Sequence, residues 1–342
     1  MGVTIKDIAA LAGVSKTAVS FAFNNPERIS RSTYKKIMDV AKKAGYTPNP
    51  VARILSNRKT CNIGLVLPQG IAYSFLNPYT SELVRGIGSV CDQEEFALVI
   101  LPPVKGLITQ SIQNAAVDGI IISGIVPDSN VQKILSQRAL PYITIDGSFS
   151  NSCCNIGIDD AKRAEELMDL LLDNGHRNIC ICSLQPGSAE LQSEESPSTM
   201  QNRIQGINNS LAKHQAENIA AITYENIPTS FDGAYSSAMR LLQEKNRCTA
   251  IFCMGDIQAY GVYKAARELS VAIPSDISVV SFDDLPAAEN LEPRLTSVHQ
   301  SAYEKGRTGA KMLFKLINGG ESESKIVSSF IHVEHSVRNI LQ

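Results

Sequence analysis

The sequence predicts a small all-α head followed by a much larger α/β body. Three observations predict it. Lys and Arg crowd into the first sixty residues, 11 against 3 Asp and Glu, giving that segment a local balance of +8 while the remainder holds 21 against 31. Within the basic segment, apolar residues recur at helical spacing. From residue 62 onward, short continuous apolar runs alternate with amphipathic stretches, the pattern of parallel strands covered on both faces by helices. At 342 residues and 44% hydrophobic content the chain can bury a large core in more than one compact unit, which excludes a disordered or fibrous protein.

The head is written as three short helices. Thr4 with Asp7 three residues later forms a capping-box pattern, Ile5, Ile8 and Leu11 follow helical spacing, and Gly13 supplies a left-handed stop. Ser15 caps a second helix. Ala9 and Ala12 keep the first helix slim where the second crosses it, and Val14, Ala18 and Val19 face back toward it, which is a helix-turn-helix. Lys16, Thr17, Ser20 and Phe21 are left facing outward, where hydroxyl and ammonium groups can meet base edges in a major groove and Phe21 a thymine methyl. A third helix runs from the cap Ser30 to about Lys43 and closes at Gly45, with Ile37, Val40 and Ala44 inward and Lys35, Lys36, Lys42 and Lys43 outward. Such a basic head suits a polyanion, because each Lys or Arg placed at a phosphate releases a condensed counterion.

Thr4-Ile-Lys-Asp-Ile-Ala9, Ala12-Gly-Val-Ser15, Val19-Ser20 followed by Asn24, and Gly45-Tyr-Thr-Pro-Asn-Pro-Val-Ala52 with Leu55 resemble, in order and spacing, the head and hinge pattern of LacI/GalR transcriptional regulators, the lactose-repressor type. The resemblance implies a helix-turn-helix DNA-binding domain over residues 1–46, a hinge helix or linker over 47–60, and an effector-binding and dimerisation domain over 61–342. It assigns DNA contact to Thr4, Ser15, Lys16, Thr17, Ser20, Phe21, Asn24 and Ser30 in the head. In the hinge it assigns contact to Asn49, Ala52, Arg53 and Leu55, with Leu55 wedged into a minor-groove step, Ala52 at the close helix-to-helix approach and Arg53 at phosphate. Pro48, Pro50 and the short length leave an isolated hinge helix marginal in water, so its folding depends on DNA and on a second copy. Phe21 stands where lactose-type members often carry a guanine-reading Arg, so base preference does not transfer.

The body opens on Ile63-Gly-Leu-Val-Leu67 and continues through Ala97–Leu101, Gly119–Ser123, Tyr142–Ile145, Ile179–Cys182, Ala250–Cys253 and Ile277–Phe282, seven runs that read as buried strands. The resemblance implies that they form a periplasmic-binding-protein-like two-lobe body, with lobe 1 over about 61–159 and 292–322 and lobe 2 over about 160–291 and 323–342. Ligands of such sheets bind at the carboxyl ends of strands. Asp146, Asp256, Asp283 and Asp284 stand at those ends. Among them the resemblance selects Asp146 and Asp283, and it adds Arg203, in Arg203-Ile-Gln-Gly206, and Tyr79, in Asn77-Pro-Tyr79, as effector contacts. Asp256 is expected to cap or brace the helix that starts there, and Asp159-Asp160 to mark the first crossing between lobes. Gly255 and Pro228 replace the Asn and the aromatic that sugar-binding members often carry, which leaves a sugar, a nucleoside or another small polar metabolite as effector classes. The resemblance runs on through Pro293-Arg-Leu-Thr-Ser-Val-His-Gln300 and Tyr303-Glu-Lys-Gly306. No leucine heptads follow Ile340, so a homodimer is the expected assembly.

Other chemistry is not written here. Phosphate-loop, nucleophile-elbow and His-Glu-x-x-His patterns are missing, and no enzyme, cofactor or metal is expected. The eight cysteines lack Cys-x-x-Cys spacing and read as reduced core residues, including Cys180 and Cys182 within an apolar run. His332 and His335 read as exposed polar residues of a terminal strand-like stretch. No apolar run reaches the roughly 18 residues of a membrane span, so a cytoplasmic protein without a membrane partner is expected. The expected function is sequence-specific DNA-binding regulation, as a repressor, of a pseudo-palindromic double-stranded operator, controlled by a small-molecule effector such as a sugar. The alternative is a solute-binding protein that uses the same body without DNA, which calls for an export signal and no helix-turn-helix.

Overall fold

The computed structural model describes residues 3–48, 59–105, 107–149, 153–185, 198–215 and 221–341. The chain divides into two compact units, Met1–Thr60 and Cys61–Gln342.

The first unit is built on α1 (Ile5–Ala12), α2 (Lys16–Asn24) and α3 (Arg31–Lys43). Each starts at a side-chain cap. The Thr4 N–H and hydroxyl donate to the Asp7 carboxylate at 2.9 and 2.7 Å, Ser15 Oγ accepts the Ala18 N–H at 3.1 Å, and Ser30 Oγ accepts the Thr33 N–H at 3.1 Å. Gly13, at φ +61°, ends α1 in the left-handed conformation that a Cβ disfavours. Ile8, Ala12, Val19 and Ile37 are fully buried together, with Ala9, Ala22 and Ala41 closing the gaps. Leu11 departs from expectation: it is 66% exposed, because the buried stripe of α1 runs through Ile8, Ala9 and Ala12 and position 11 falls beside it.

The second unit holds two six-stranded sheets. In the first, the order β11-β5-β4-β3-β1-β2 joins β1 (Asn62–Val66), β2 (Ala97–Leu101), β3 (Gly119–Ser123), β4 (Tyr142–Ile145), β5 (Asn155–Gly157) and β11 (Lys325–Ile326), all pairs parallel. In the second, β12-β10-β9-β8-β6-β7 joins β6 (Asn178–Gln185), β7 (Ala221–Pro228), β8 (Ala250–Cys253), β9 (Ser278–Asp283), β10 (Thr296–Gln300) and β12 (Ser329–His332), with only the β10–β12 pair antiparallel. The helices, in chain order, are α4 (Ile71–Ser74), α5 (Pro78–Glu94), α6 (Ile108–Asn114), α7 (Ser129–Gln137), α8 (Asp160–Asp173), α9 (Ser198–Lys213), α10 (Phe231–Leu241), α11 (Asp256–Glu268) and α12 (Ala302–Ile317).

Both faces of both sheets are covered, as continuous apolar runs require. Ile63, Leu65 and Ile121 pack toward Leu83 and Ile87 of α5 and Leu313 of α12, while Val66, Ile120 and Ile122 meet Ile112 of α6 and Leu135 of α7. In the second sheet, Ile179, Phe252 and Phe282 face Leu167 of α8 and Ile207 of α9, and Cys180, Cys182 and Cys253 face Ala238 of α10 and Val262 of α11. All eight cysteines are free thiols.

The chain passes between lobes three times. It first crosses between β5 and α8, near the expected residue 159. The second return falls between Gln300 and Ala302, later than the expected 292, because Thr296–Gln300 pairs with β9 before the chain leaves. The third falls between Ile326 and Ser329, later than 322, because Lys325 and Ile326 still pair with β5. Among the described residues, no helix is long and apolar enough to cross a membrane.

Candidate functional site

In the head, Lys16 and Thr17 stand exposed at the start of α2, with Ser20 and Phe21 half-buried one turn on. The Arg28 guanidinium lies over the Phe21 ring at 5.5 Å from its centre, and Asn24 Nδ2 donates to Ser20 Oγ at 3.4 Å. Thr4, Ser15 and Ser30 are committed as helix caps, and each therefore sits at a helix N-terminus where the backbone N–H groups and dipole favour an anion. Asn49, Ala52, Arg53 and Leu55 lie outside the described residues.

In the body, the expected effector residues come together between the lobes, and a residue that sequence reasoning missed joins them. Lys305, on α12, is fully buried. Its ammonium donates to Asp146 Oδ1 at 2.6 Å, to Gln300 Oε1 at 2.5 Å and to the Tyr79 hydroxyl at 3.1 Å. The Tyr79 hydroxyl donates to Asp146 Oδ2 at 2.5 Å, and burial together with that carboxylate pushes the phenol well above its usual range. With Gln300, the last residue of β10, the network has crossed to the second lobe: its Nε2 donates to Asp283 Oδ1 at 2.6 Å, and Asp283 Oδ2 accepts the Asp256 N–H at 3.3 Å. Burial pushes the Asp283 carboxyl up to about 6.

Arg203 occupies the same region from α9. Its Nε donates to Asp160 Oδ1 at 2.8 Å, its Nη1 to the Met254 carbonyl, and its guanidinium carbon lies 3.9 Å from the centre of the Phe282 ring. Both side chains of the Arg203–Asp160 pair are 5% exposed. Asp160 is thus an ion-pair partner as well as a marker of the crossing, and Asp159 caps α8 by accepting the Lys162 N–H at 3.0 Å. Asp256 braces a neighbour more than its own helix: its oxygens accept the Leu285 N–H at 2.8 Å and the Ser297 hydroxyl at 3.0 Å.

Local sequence explains this placement. Asn77 Oδ1 accepts the Tyr79 N–H at 3.0 Å, so the Asn-Pro-Tyr segment starts α5 with Tyr79 in its first turn. The backbone turns left-handed at Asp146 (φ 55°) and positive at Asp283 (φ 112°), strain of about 1–3 kcal/mol each, at the carboxyl ends of β4 and β9. Two close helix crossings hold the rest. A Cβ on Gly86 would lie 2.0 Å from the Tyr303 carbonyl oxygen and one on Gly306 would lie 2.2 Å from that of Leu83, so α5 and α12 touch backbone to backbone and Lys305 meets Tyr79. A Cβ on Gly206 would lie 2.0 Å from the Ala161 carbonyl oxygen, which brings α9 onto α8 and Arg203 onto Asp160. Lys305 was legible by period: Ala302, Lys305, Gly309 and Met312 form one buried stripe.

Among the described residues no group of three or more His, Cys, Asp and Glu could hold a metal ion. His332 is half-exposed and pairs instead with Asp284 through Nδ1 at 3.3 Å and with Glu334 through Nε2 at 3.1 Å.

Residues 4–49 match the family of bacterial regulatory proteins of the lacI type, and residues 168–332 match the periplasmic binding protein-like domain. A helix-turn-helix-type transcriptional regulator of Mycobacterium tuberculosis is 30% identical over 329 residues, covering 91% of this chain and 90% of its own. The chain belongs to the lacI family of bacterial regulatory proteins. It is a DNA-binding transcriptional regulator of that family, with the helix-turn-helix in its first unit and a two-lobe α/β body in its second. The ribose operon repressor of Haemophilus influenzae is 30% identical over 323 residues, covering 92% of each chain. The lac repressor dimer bound to operator and an anti-inducer shares the fold, with a TM-score of 0.81 at 22% identity over 99% of this chain and 100% of that one.

Proposed function

We propose that this LacI-family regulator is a homodimeric repressor whose grip on a pseudo-palindromic operator is set by a small polar effector between the lobes of its body. Lys16, Thr17, Ser20 and Phe21 read base edges, while Thr4, Ser15, Asn24 and Ser30 position the head on phosphate. In the hinge, Asn49, Ala52, Arg53 and Leu55 bend and wedge the minor groove. Tyr79, Asp146, Arg203 and Asp283 hold the effector.

The observation that supports this most is the network running from Tyr79 and Asp146 of one lobe through Lys305 and Gln300 to Asp283 of the other. A molecule that replaces the Lys305–Gln300 link contacts both lobes at once, and its differential affinity for two lobe arrangements is what shifts an equilibrium between them. The relatives lend weight to the effector class, since one is named a ribose operon repressor and a structural neighbour is a CelR–cellobiose complex.

The test is selection of operators from random duplex DNA by the purified protein, followed by gel shifts at two salt concentrations. A recovered palindrome whose affinity falls steeply with salt is the expected result. Failure to enrich any sequence, alone or with a panel of metabolites, would falsify the repressor reading.

A further inference from the structure

The outward face of α2 carries a cation that the helix itself does not supply. Phe21 follows Thr17 by four residues and Ser20 by one, so the three share that face, and Asn24, one turn beyond Ser20, donates to its Oγ. Over the Phe21 ring, 5.5 Å from its centre, lies the guanidinium of Arg28, the last residue of the single-turn helix Pro26–Arg28 that follows α2. Among the described residues no other cation of the head stands over a ring.

The backbone of Arg28 is fixed from both sides. Its N–H donates to the Asn25 carbonyl at 3.0 Å, Ile29 packs against the buried cluster of the head, and Ser30 caps α3. The side chain is exposed, and among the described residues it makes no hydrogen bond or ion pair. The Phe21 ring thus holds the guanidinium and leaves its N–H fork unspent. A guanidinium stacked in this way is pre-organised, so little freedom is lost when its donors are used.

Two features of a duplex match such a fork: a phosphate, and the O6/N7 edge of guanine in the major groove. The placement favours the base. A phosphate contact calls for a cation on the flank of the docked helix, whereas this one lies against Phe21, on the side shared with Thr17 and Ser20. We infer, on the reading of α2 as the helix that enters the groove, that Arg28 reads a guanine in each half-site, with Phe21 as the platform that aims it. The sequence-reading surface then extends past α2 into the turn behind it. Base preference becomes a joint property of the pair, so a change at either residue moves the same operator position.

The experiment is selection from random duplex DNA by the full-length protein and by Arg28→Ala, Arg28→Lys and Phe21→Leu. Gel shifts of each on the recovered operator and on its single-base variants, at two salt concentrations, complete it. The native protein is expected to recover a palindrome with a guanine at one fixed position per half-site, preferred about tenfold over other bases. Arg28→Ala is expected to lose that preference and keep the others. Arg28→Lys keeps the charge but not the fork, so it should retain the salt dependence and discriminate less. Phe21→Leu keeps an apolar side chain without a π face and should weaken discrimination at the same guanine. Arg28 is exposed, so Arg28→Ala decides even if Phe21→Leu does not fold. An unchanged motif with Arg28→Ala overturns the inference. So does an equal loss on every sequence with a salt slope reduced by about one, the mark of a phosphate contact. Undiminished discrimination by folded Phe21→Leu overturns the platform. No palindrome from the native protein sinks the repressor reading and the inference with it, whereas a palindrome that Arg28→Ala reads equally well sinks only the guanine assignment.

Discussion

At the scale of single residues, the body is governed by charges taken out of water. Arg203 and Asp160 are each 5% exposed, and removing one partner leaves the other buried and uncompensated. Arg203→Ala is therefore expected to lower the free energy of unfolding by about 3–5 kcal/mol and to abolish the response of operator binding to effector. Urea unfolding read beside gel shifts checks both, and a mutant of native stability would remove Asp160 as a true partner. Asp283 makes a pH prediction. Its folded carboxyl, pushed up to about 6 by burial, holds its proton more tightly than the unfolded chain does near 4. Its contribution to stability is fully present below that unfolded value and is lost as pH rises through about 6. Asp283→Asn removes this titration, so the mutant should gain on the wild type by on the order of 2–3 kcal/mol between pH 4 and pH 7. A difference in Tm that stays level across that range would contradict it.

At the scale of elements, much was legible because burial and periodicity agreed. The seven runs read as strands all form strands, since each is short, apolar and covered on both faces. Those that escaped are the ones that break this pattern. β7 is an edge strand with Tyr224 exposed, β10 mixes Thr, Ser, His and Gln with a single Val, and β5 and β11 are too short to carry a signal. In the site, Tyr79, Asp146, Arg203 and Asp283 came from motif resemblance, while Lys305 stayed hidden because a lysine on a helix reads as a solvent-facing residue. Two predictions belong here. Gly206→Ala places a methyl 2.0 Å from the Ala161 carbonyl oxygen and must push α9 from α8, costing about 1–3 kcal/mol by denaturant titration and weakening effector binding with it. Ser15→Ala removes the cap that receives the Ala18 N–H, and should destabilise the head by about 1 kcal/mol, seen as faster amide exchange along Lys16–Asn24 than along Arg31–Lys43.

At the scale of the whole molecule, the charge is divided by task. The first sixty residues hold 11 of the 32 basic residues and only 3 of the 34 acidic ones, so attraction to DNA is confined to the head while the body repels it. The logarithm of operator affinity should accordingly fall linearly with the logarithm of salt concentration, and Lys16→Gln should reduce that slope by about one if it meets phosphate, or leave the slope and relax base preference if it reads a base. The three crossings have another consequence, in the timing of synthesis. Strands β1 to β5 of the first sheet are finished by Gly157, yet α12, which covers Ile121 and Ile143, and β11, which closes the sheet's edge, are not made until residues 302–326. The first lobe to leave the ribosome must therefore wait, with the part of one apolar face that α5 leaves uncovered still bare, for nearly the last segment of the chain, whereas the buried cluster of the helix-turn-helix is complete within its first 46 residues.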